Sequence, residues 1–99
     1  MDYQVKLSRS ARSDLEDIVR YISIDDPDQA SRFGRLLIHH TKGLAQFPER
    51  GRVVPEFDDD SIRELIVKAY RIVYRLNRIE RSVEVIRFWH GARNMPHLL

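Results

Sequence analysis

The chain has 99 residues, with 17 Lys and Arg, 15 Asp and Glu, and no cysteine. That is one domain, residues 1–99, long enough to bury a core unaided, and it excludes disulfides and thiolate chemistry. At 42% apolar and 32% charged the composition excludes a disordered chain. No apolar run approaches membrane-spanning length, and Met1–Leu7 lacks the apolar stretch of a signal peptide, so a soluble cytoplasmic protein is expected.

Tyr3, Val5 and Leu7 alternate with Gln4 and Lys6, which predicts a half-buried strand. The period then changes. Ala11, Leu15, Ile18, Val19 and Ile22 share a helical stripe, with Arg12, Asp14, Glu16, Asp17 and Arg20 mostly opposite. Ser8 or Ser10 is the expected cap, and Asp25-Asp26-Pro27-Asp28 stops this helix near Ile24 and starts the next. Ala30, Phe33, Leu37, Thr41 and Leu44 form the second inner stripe. Gly34 lowers helix propensity there, so it is expected to allow close helix–helix approach, and Phe47-Pro48 ends the helix.

Residues 48–61 read as a connection, with two prolines, Gly51 and the acidic triplet Asp58-Asp59-Asp60. Three β-rich runs follow, about Ile62–Val67, Tyr70–Leu76 and Val83–His90, and their short polar breaks favour antiparallel hairpins. The expected class is α+β, in the order β-α-α-β-β-β. The helical hairpin packs on one face of an antiparallel sheet and the other face is left open.

Charge is divided between the two parts of the chain. Residues 61–99 carry 8 Lys/Arg against 3 Asp/Glu, a net of +5, and residues 1–60 carry 9 against 12, a net of −3. A basic sheet points to phosphates or an acidic partner. Arg71 and Arg75 fall on one side of their strand, with Ile72, Tyr74 and Leu76 on the core side. His90-Gly91-Ala92-Arg93 closes the last strand, with Gly91 suited to a tight turn. Arg71, His90 and Arg93 are therefore candidates to converge at one end of the sheet. There an imidazole would move a proton and guanidiniums would stabilise charge on a phosphodiester. The structural reading of the same residues is that the arginines pair with Glu64, Glu84 or the acidic triplet, and on sequence alone it comes first. Phe88 and Trp89 could stack on a base, or serve the core. His39-His40 face about 100° apart on a helix and cannot chelate as a pair, and His97 sits in an exposed-looking tail; no metal spacing and no cofactor motif is present.

Taken in order, these residues resemble the RelE/ParE family of bacterial toxins from type II toxin–antitoxin pairs. The resemblance rests on Leu7-Ser8, then Ala11, Leu15, Ile18 and Tyr21, then Phe47-Pro48 with Gly51, Arg63-Glu64, Tyr70-Arg71-Ile72-Val73-Tyr74 and the final His90-Gly91-Ala92-Arg93. It implies the β-α-α-β-β-β fold already read from the pattern. It implies one of two activities: inhibition of DNA gyrase, as in ParE-like members, or metal-independent, ribosome-dependent cleavage of mRNA, as in RelE-like members. Arg71 and Arg93 match arginines of the nucleases. The nucleases' strand lysines are not matched, because Ile62 and Glu64 fall about there unless Arg63 and Lys68 substitute, and their C-terminal tyrosine is missing. Glu56, Arg71 and His90 imitate the set of another nuclease branch.

The ParE-like reading therefore leads, with Arg63, Arg71, Arg75, Trp89 and Arg93 as expected target-binding residues. The alternatives are the mRNA endonuclease, with Arg71, His90, Arg93 and possible help from Glu56, and a non-toxic member that binds only its antitoxin. The resemblance also implies a cognate antitoxin in a hetero-oligomer with the toxin, lying along the helical hairpin around Leu15, Ile18, Phe33 and Leu37. The sheet edges would accept part of it as an added strand.

Overall fold

The computed structural model describes residues 2–93. His97 and the rest of the tail after Arg93 lie outside them. The elements are β1 (Gln4–Leu7), α1 (Arg9–Ser23), α2 (Pro27–Gly43), β2 (Arg52–Val53), β3 (Ile62–Val67), β4 (Tyr70–Asn77) and β5 (Ser82–His90).

Local chemistry sets the helix limits. The Ser8 hydroxyl accepts from the Ala11 N–H at 3.0 Å and caps α1. Asp26 caps α2 by accepting from Gln29 N–H at 3.1 Å, and Pro27 occupies the first turn, where its missing N–H costs nothing. The second helix stops at Gly43, short of Phe47-Pro48, because residues 44–47 turn back on the carbonyls of Thr41, Lys42 and Gly43. Gly34 does permit close approach: a Cβ there would sit 3.0 Å from Val19 Cγ2.

The α+β class and the helical hairpin packed against the sheet are as expected. Two features of the sheet differ. Its order is β1-β5-β4-β3-β2, and β1 runs parallel to β5 (Val5 opposite Val83, Leu7 opposite Val85), so the sheet is mixed. The helical hairpin is the crossover that such a parallel pair needs. The second feature is β2, two residues of the 48–61 connection that pair antiparallel with Arg63 and Glu64 of β3. The remaining ladders, β3 with β4 and β4 with β5, are antiparallel.

The helix-covered face holds the main core: Ala11, Ile18, Leu37 and Leu44 from the helices against Ile72, Tyr74, Leu76, Val83, Val85 and Phe88. The opposite face was expected to be open. It is instead partly roofed by residues 54–61, whose Val54 and Phe57 pack on Ile62 and Val73 as a second, smaller cluster. Among the described residues no helix is long and apolar enough to cross a membrane.

Candidate functional site

The roofed face carries an alternating chain of four charges. Glu64, central in β3, accepts from Arg71 Nε and, through its other oxygen, from Arg52 Nε at 2.8 Å. Arg71 then donates Nη1 and Nη2 to the two oxygens of Glu56 at 2.9 and 2.8 Å, a bidentate pair. The Glu64 side chain is 0% exposed and that of Arg71 11%. Two charges so placed lose most of their hydration, and only mutual pairing makes the burial tolerable. Among the described residues no buried side-chain polar atom lacks a partner.

This geometry sets the ionisation of the group. The Arg71 fork holds the Glu56 carboxyl down at about 2, and Glu56, with Glu64, raises Arg71 further above the ordinary guanidinium value. Arg71 therefore offers no unengaged donor to a phosphate as the chain stands. The pairing with Glu64 was one of the possibilities read from sequence. The sharing of Glu64 with Arg52 was not, because Arg52 lies in a loop whose strand character is only two residues long.

Arg71 and His90 do not converge as expected. Tyr70 stands opposite His90 and Arg71 opposite Trp89, and cross-strand partners point to one side. Arg71 and His90 are therefore out of phase and occupy opposite faces at the same end of the sheet. The His90 ring packs edge-on against Tyr70 at 5.1 Å, and Tyr70 in turn against Phe33 of α2 at 5.5 Å. Ala92 N–H donates to His90 Nδ1 at 3.1 Å, which leaves the proton of the neutral ring on Nε2. The two side chains do border one hollow of about 520 Å³ that curls round the sheet end, together with Arg52, Glu56 and Lys68.

Arg93 belongs to a different groove, between α1 and the end of β5, with Asp14, Tyr21 and Trp89. Its guanidinium lies 5.9 Å from the Trp89 ring centre, and that of Arg87 lies over the same ring at 4.6 Å. Arg87 also pairs with Asp14 through two bonds of 2.6 and 2.9 Å. Asp14 additionally accepts from Phe88 N–H at 3.1 Å, filling the β5 edge where β1 has ended. No signal in the sequence links residues 73 positions apart, so this hook is invisible before folding.

The other expected target-binding arginines have internal duties. Arg63 donates to Asp60 Oδ1 at 2.7 Å and to the backbone carbonyls of Gly51, Glu49 and Asp60, tying down the connection. Arg75 stands across from Ile62 and Glu84 and is half-buried. Of the residues expected to meet an antitoxin, Leu37 and Ile18 are buried in the core, because the sheet already covers the inner stripe of the hairpin. Leu15 and Phe33 are half-buried, and Phe33 lines a surface hollow with Ile22, Arg32, Leu36, Lys68 and Tyr70. Among the described residues, no three His, Cys, Asp or Glu side chains form a metal-binding group.

Comparison with known proteins follows the same lines. A family model for the ParE toxin of the type II toxin–antitoxin system parDE matches residues 5–95. Over 95 residues the chain is 35% identical to "Toxin RelE1" of Caulobacter vibrioides, covering 92% of this chain and 96% of that protein. It is 34% identical over 87 residues to "Putative toxin Y4kP" of Sinorhizobium fredii, covering 86% and 84%. The fold is similar to that of a chain in the chromosomal ParDE system of P. aeruginosa, with a TM-score of 0.72 at 20% identity over 89% of this chain and 95% of that one. It is similar also to a chain in the RelBE2 toxin–antitoxin complex of Mycobacterium tuberculosis, with a TM-score of 0.69 at 20% identity over 91% and 99%.

Proposed function

The chain belongs to the ParE toxin family of type II toxin–antitoxin systems, and on that premise we propose that it is a non-enzymatic toxin that inhibits DNA gyrase until a cognate antitoxin covers it. The observation that carries this reading is the engagement of Arg71. The one strand arginine that matches the nucleases is held by two carboxylates, one of them fully buried. At the neighbouring strand positions, where the resemblance to nucleases calls for positive charge, stand a buried isoleucine, Ile62, and Glu64. A carboxylate there repels a phosphate. Glu56, held at about 2, is also too weak a base to take a proton near neutral pH.

On this reading the target meets residues that remain accessible, chiefly Arg93, beside Trp89, at the end of β5. The antitoxin meets the hairpin at the hollow around Phe33, Ile22, Leu36 and Arg32, and at the exposed Tyr21 and Ile24, rather than at Leu37. The test incubates the purified chain with gyrase and plasmid in one tube and with programmed ribosomes in another. Loss of supercoiling with intact message is expected, and His90→Ala should keep most of the toxicity.

A second reading, the mRNA endonuclease, draws on one observation: Glu56, Arg71 and His90 border a single hollow. It predicts cleaved message in the second tube. Arg71→Ala would then lower cleavage by roughly 10²–10³-fold, and His90→Ala by about 10²–10⁴-fold. Cleavage with that dependence, alongside normal supercoiling, would overturn the gyrase reading.

A further inference from the structure

We propose that the fork of Arg71 is a built-in oxyanion site in which the Glu56 carboxylate stands where a phosphate group binds. This goes beyond the gyrase reading and does not depend on it. The two carboxylates on Arg71 are not equivalent. Glu64 projects from a central strand position, is 0% exposed, and is held a second time by Arg52. Glu56 comes from the turn after Val54, and its side chain is 44% exposed. One acid is part of the interior and the other is replaceable from solvent.

The bond pattern suits replacement. Nη1 and Nη2 of Arg71 donate in parallel to the two oxygens of Glu56, and a phosphate presents the same two-oxygen edge to a guanidinium. The turn that carries Glu56 is lightly held. Phe57 is only half-buried on Ile62, Val73 and Val54, and Asp58 has a φ of 48°, left-handed backbone that a side chain disfavours. The surroundings are basic as well. Arg52, Lys68 and Arg71 border the hollow, and with Glu56 and Glu64 that makes three cations against two anions, an excess of one. Turning Glu56 outward raises the excess to two and exposes a fork with two unfilled donors. The ligand class is a tetrahedral oxyanion, either a free phosphate or the phosphodiester of a nucleic-acid strand.

The full chain, labelled with ¹⁵N, is titrated with inorganic phosphate at fixed ionic strength while the Arg71 side-chain N–H resonance is followed. Glu56→Gln should tighten phosphate binding by about fivefold, the scale of an exposed ion pair. Adding Arg71→Lys to Glu56→Gln should remove the gain. If Glu56→Gln does not give a folded amide spectrum, Phe57→Ala, which loosens the turn without changing a charge, carries the same expectation. A parallel titration uses a short single-stranded oligonucleotide. Binding tighter than that of inorganic phosphate supports the site and assigns it to a phosphodiester strand, and equal or weaker binding supports it and assigns it to the free anion. Equal phosphate affinity in wild type and the Glu56 variant, or a gain that survives Arg71→Lys, overturns the proposal.

Discussion

The two faces of the sheet solve the burial problem in opposite ways. Under the helices, Ile72, Tyr74, Leu76, Val83, Val85 and Phe88 meet Ala11, Leu37 and Leu44, and apolar area removed from water does the work. On the other face Val54, Ile62 and Val73 make only a small apolar cluster, and beside it four charges are satisfied in a row. The first arrangement tolerates any side chain of similar shape. The second tolerates none of its members being removed singly, because each loss strands a charge.

The sharpest test of that contrast substitutes one residue on each side. Glu64→Ala leaves Arg71 and Arg52 without their shared anion and should cost about 3–5 kcal/mol, the scale of a broken buried pair. Leu37→Ala, wholly buried under the other face, should cost about 2–5 kcal/mol through lost transfer and a cavity. Urea denaturation followed by circular dichroism measures both. The faces differ in how they are repaired. Replacing Glu64 and Arg71 together by Leu and Met should restore most of the loss, whereas no second substitution is expected to repair Leu37→Ala. If the double variant is as unstable as Glu64→Ala alone, the charge row is not the reason Glu64 matters.

The connection between the faces gives the next largest effect. Gly51 N–H donates to Tyr74 Oη at 2.9 Å, and that hydroxyl donates onward to the carbonyl of Pro48 at 2.7 Å. A Cβ on Gly51 would lie 2.6 Å from Glu64 O and 2.6 Å from Tyr74 Oη. Gly51→Ala should therefore cost about 1–3 kcal/mol by overpacking. Tyr74→Phe should cost a comparable amount, about 1–3 kcal/mol, because it orphans the Gly51 N–H in the interior. Similar melting temperatures for wild type and Gly51→Ala would show that the turn yields.

How much of each face was legible before folding follows from the same contrast. Period-two alternation placed Ile72, Tyr74 and Leu76 inside, since apolar residues announce their side by spacing alone. The capping residues Ser8 and Asp26 were readable because their partners lie three residues away. The charge row was readable only in part. Glu64 and Arg71 flank a two-residue turn, so their proximity was implied by local register, but Glu56 and Arg52 reach them from an irregular connection. The expected meeting of Arg71 with His90 failed on parity: the ladder sets Arg71 opposite Trp89, and no feature of the chain states that register. The bond between Asp14 and β5 depended on the parallel pairing of β1, which was not foreseen.

Acid separates the faces in a third way. Glu56 is depressed from 4.5 to about 2 in the folded chain by Arg71. A lowered carboxyl stabilises the fold above its unfolded value and stops doing so once it is protonated in both states. Wild type should therefore exceed Glu56→Gln in stability at pH 7. The difference should shrink between pH 4.5 and about 2 and be gone below that. Since the Glu56 side chain is 44% exposed, solvent screening limits the gain to about 1 kcal/mol or less. Chemical denaturation of both proteins at pH 7, 4 and 2 measures it. A difference that persists at pH 2 would mean that Glu56 acts by shape rather than charge.

The smallest expected effect lies at the hairpin between β3 and β4, where the faces share an end. Lys68 has a φ of 54°, a left-handed conformation in a turn position that glycine fills without strain. A side chain there costs on the order of 1 kcal/mol, and a glycine gives part of that back through the greater freedom of its unfolded chain. Lys68→Gly should therefore stabilise the fold by a few tenths of a kcal/mol. The same substitution removes a cation from two hollows at once, the one around Arg71 and the one around Phe33. A variant that is slightly more stable yet binds phosphate or the antitoxin more weakly would show that Lys68 is kept for contact and not for folding. Unchanged binding with raised stability would show that both hollows work without it, and lowered stability would show that the left-handed turn carries no strain worth relieving.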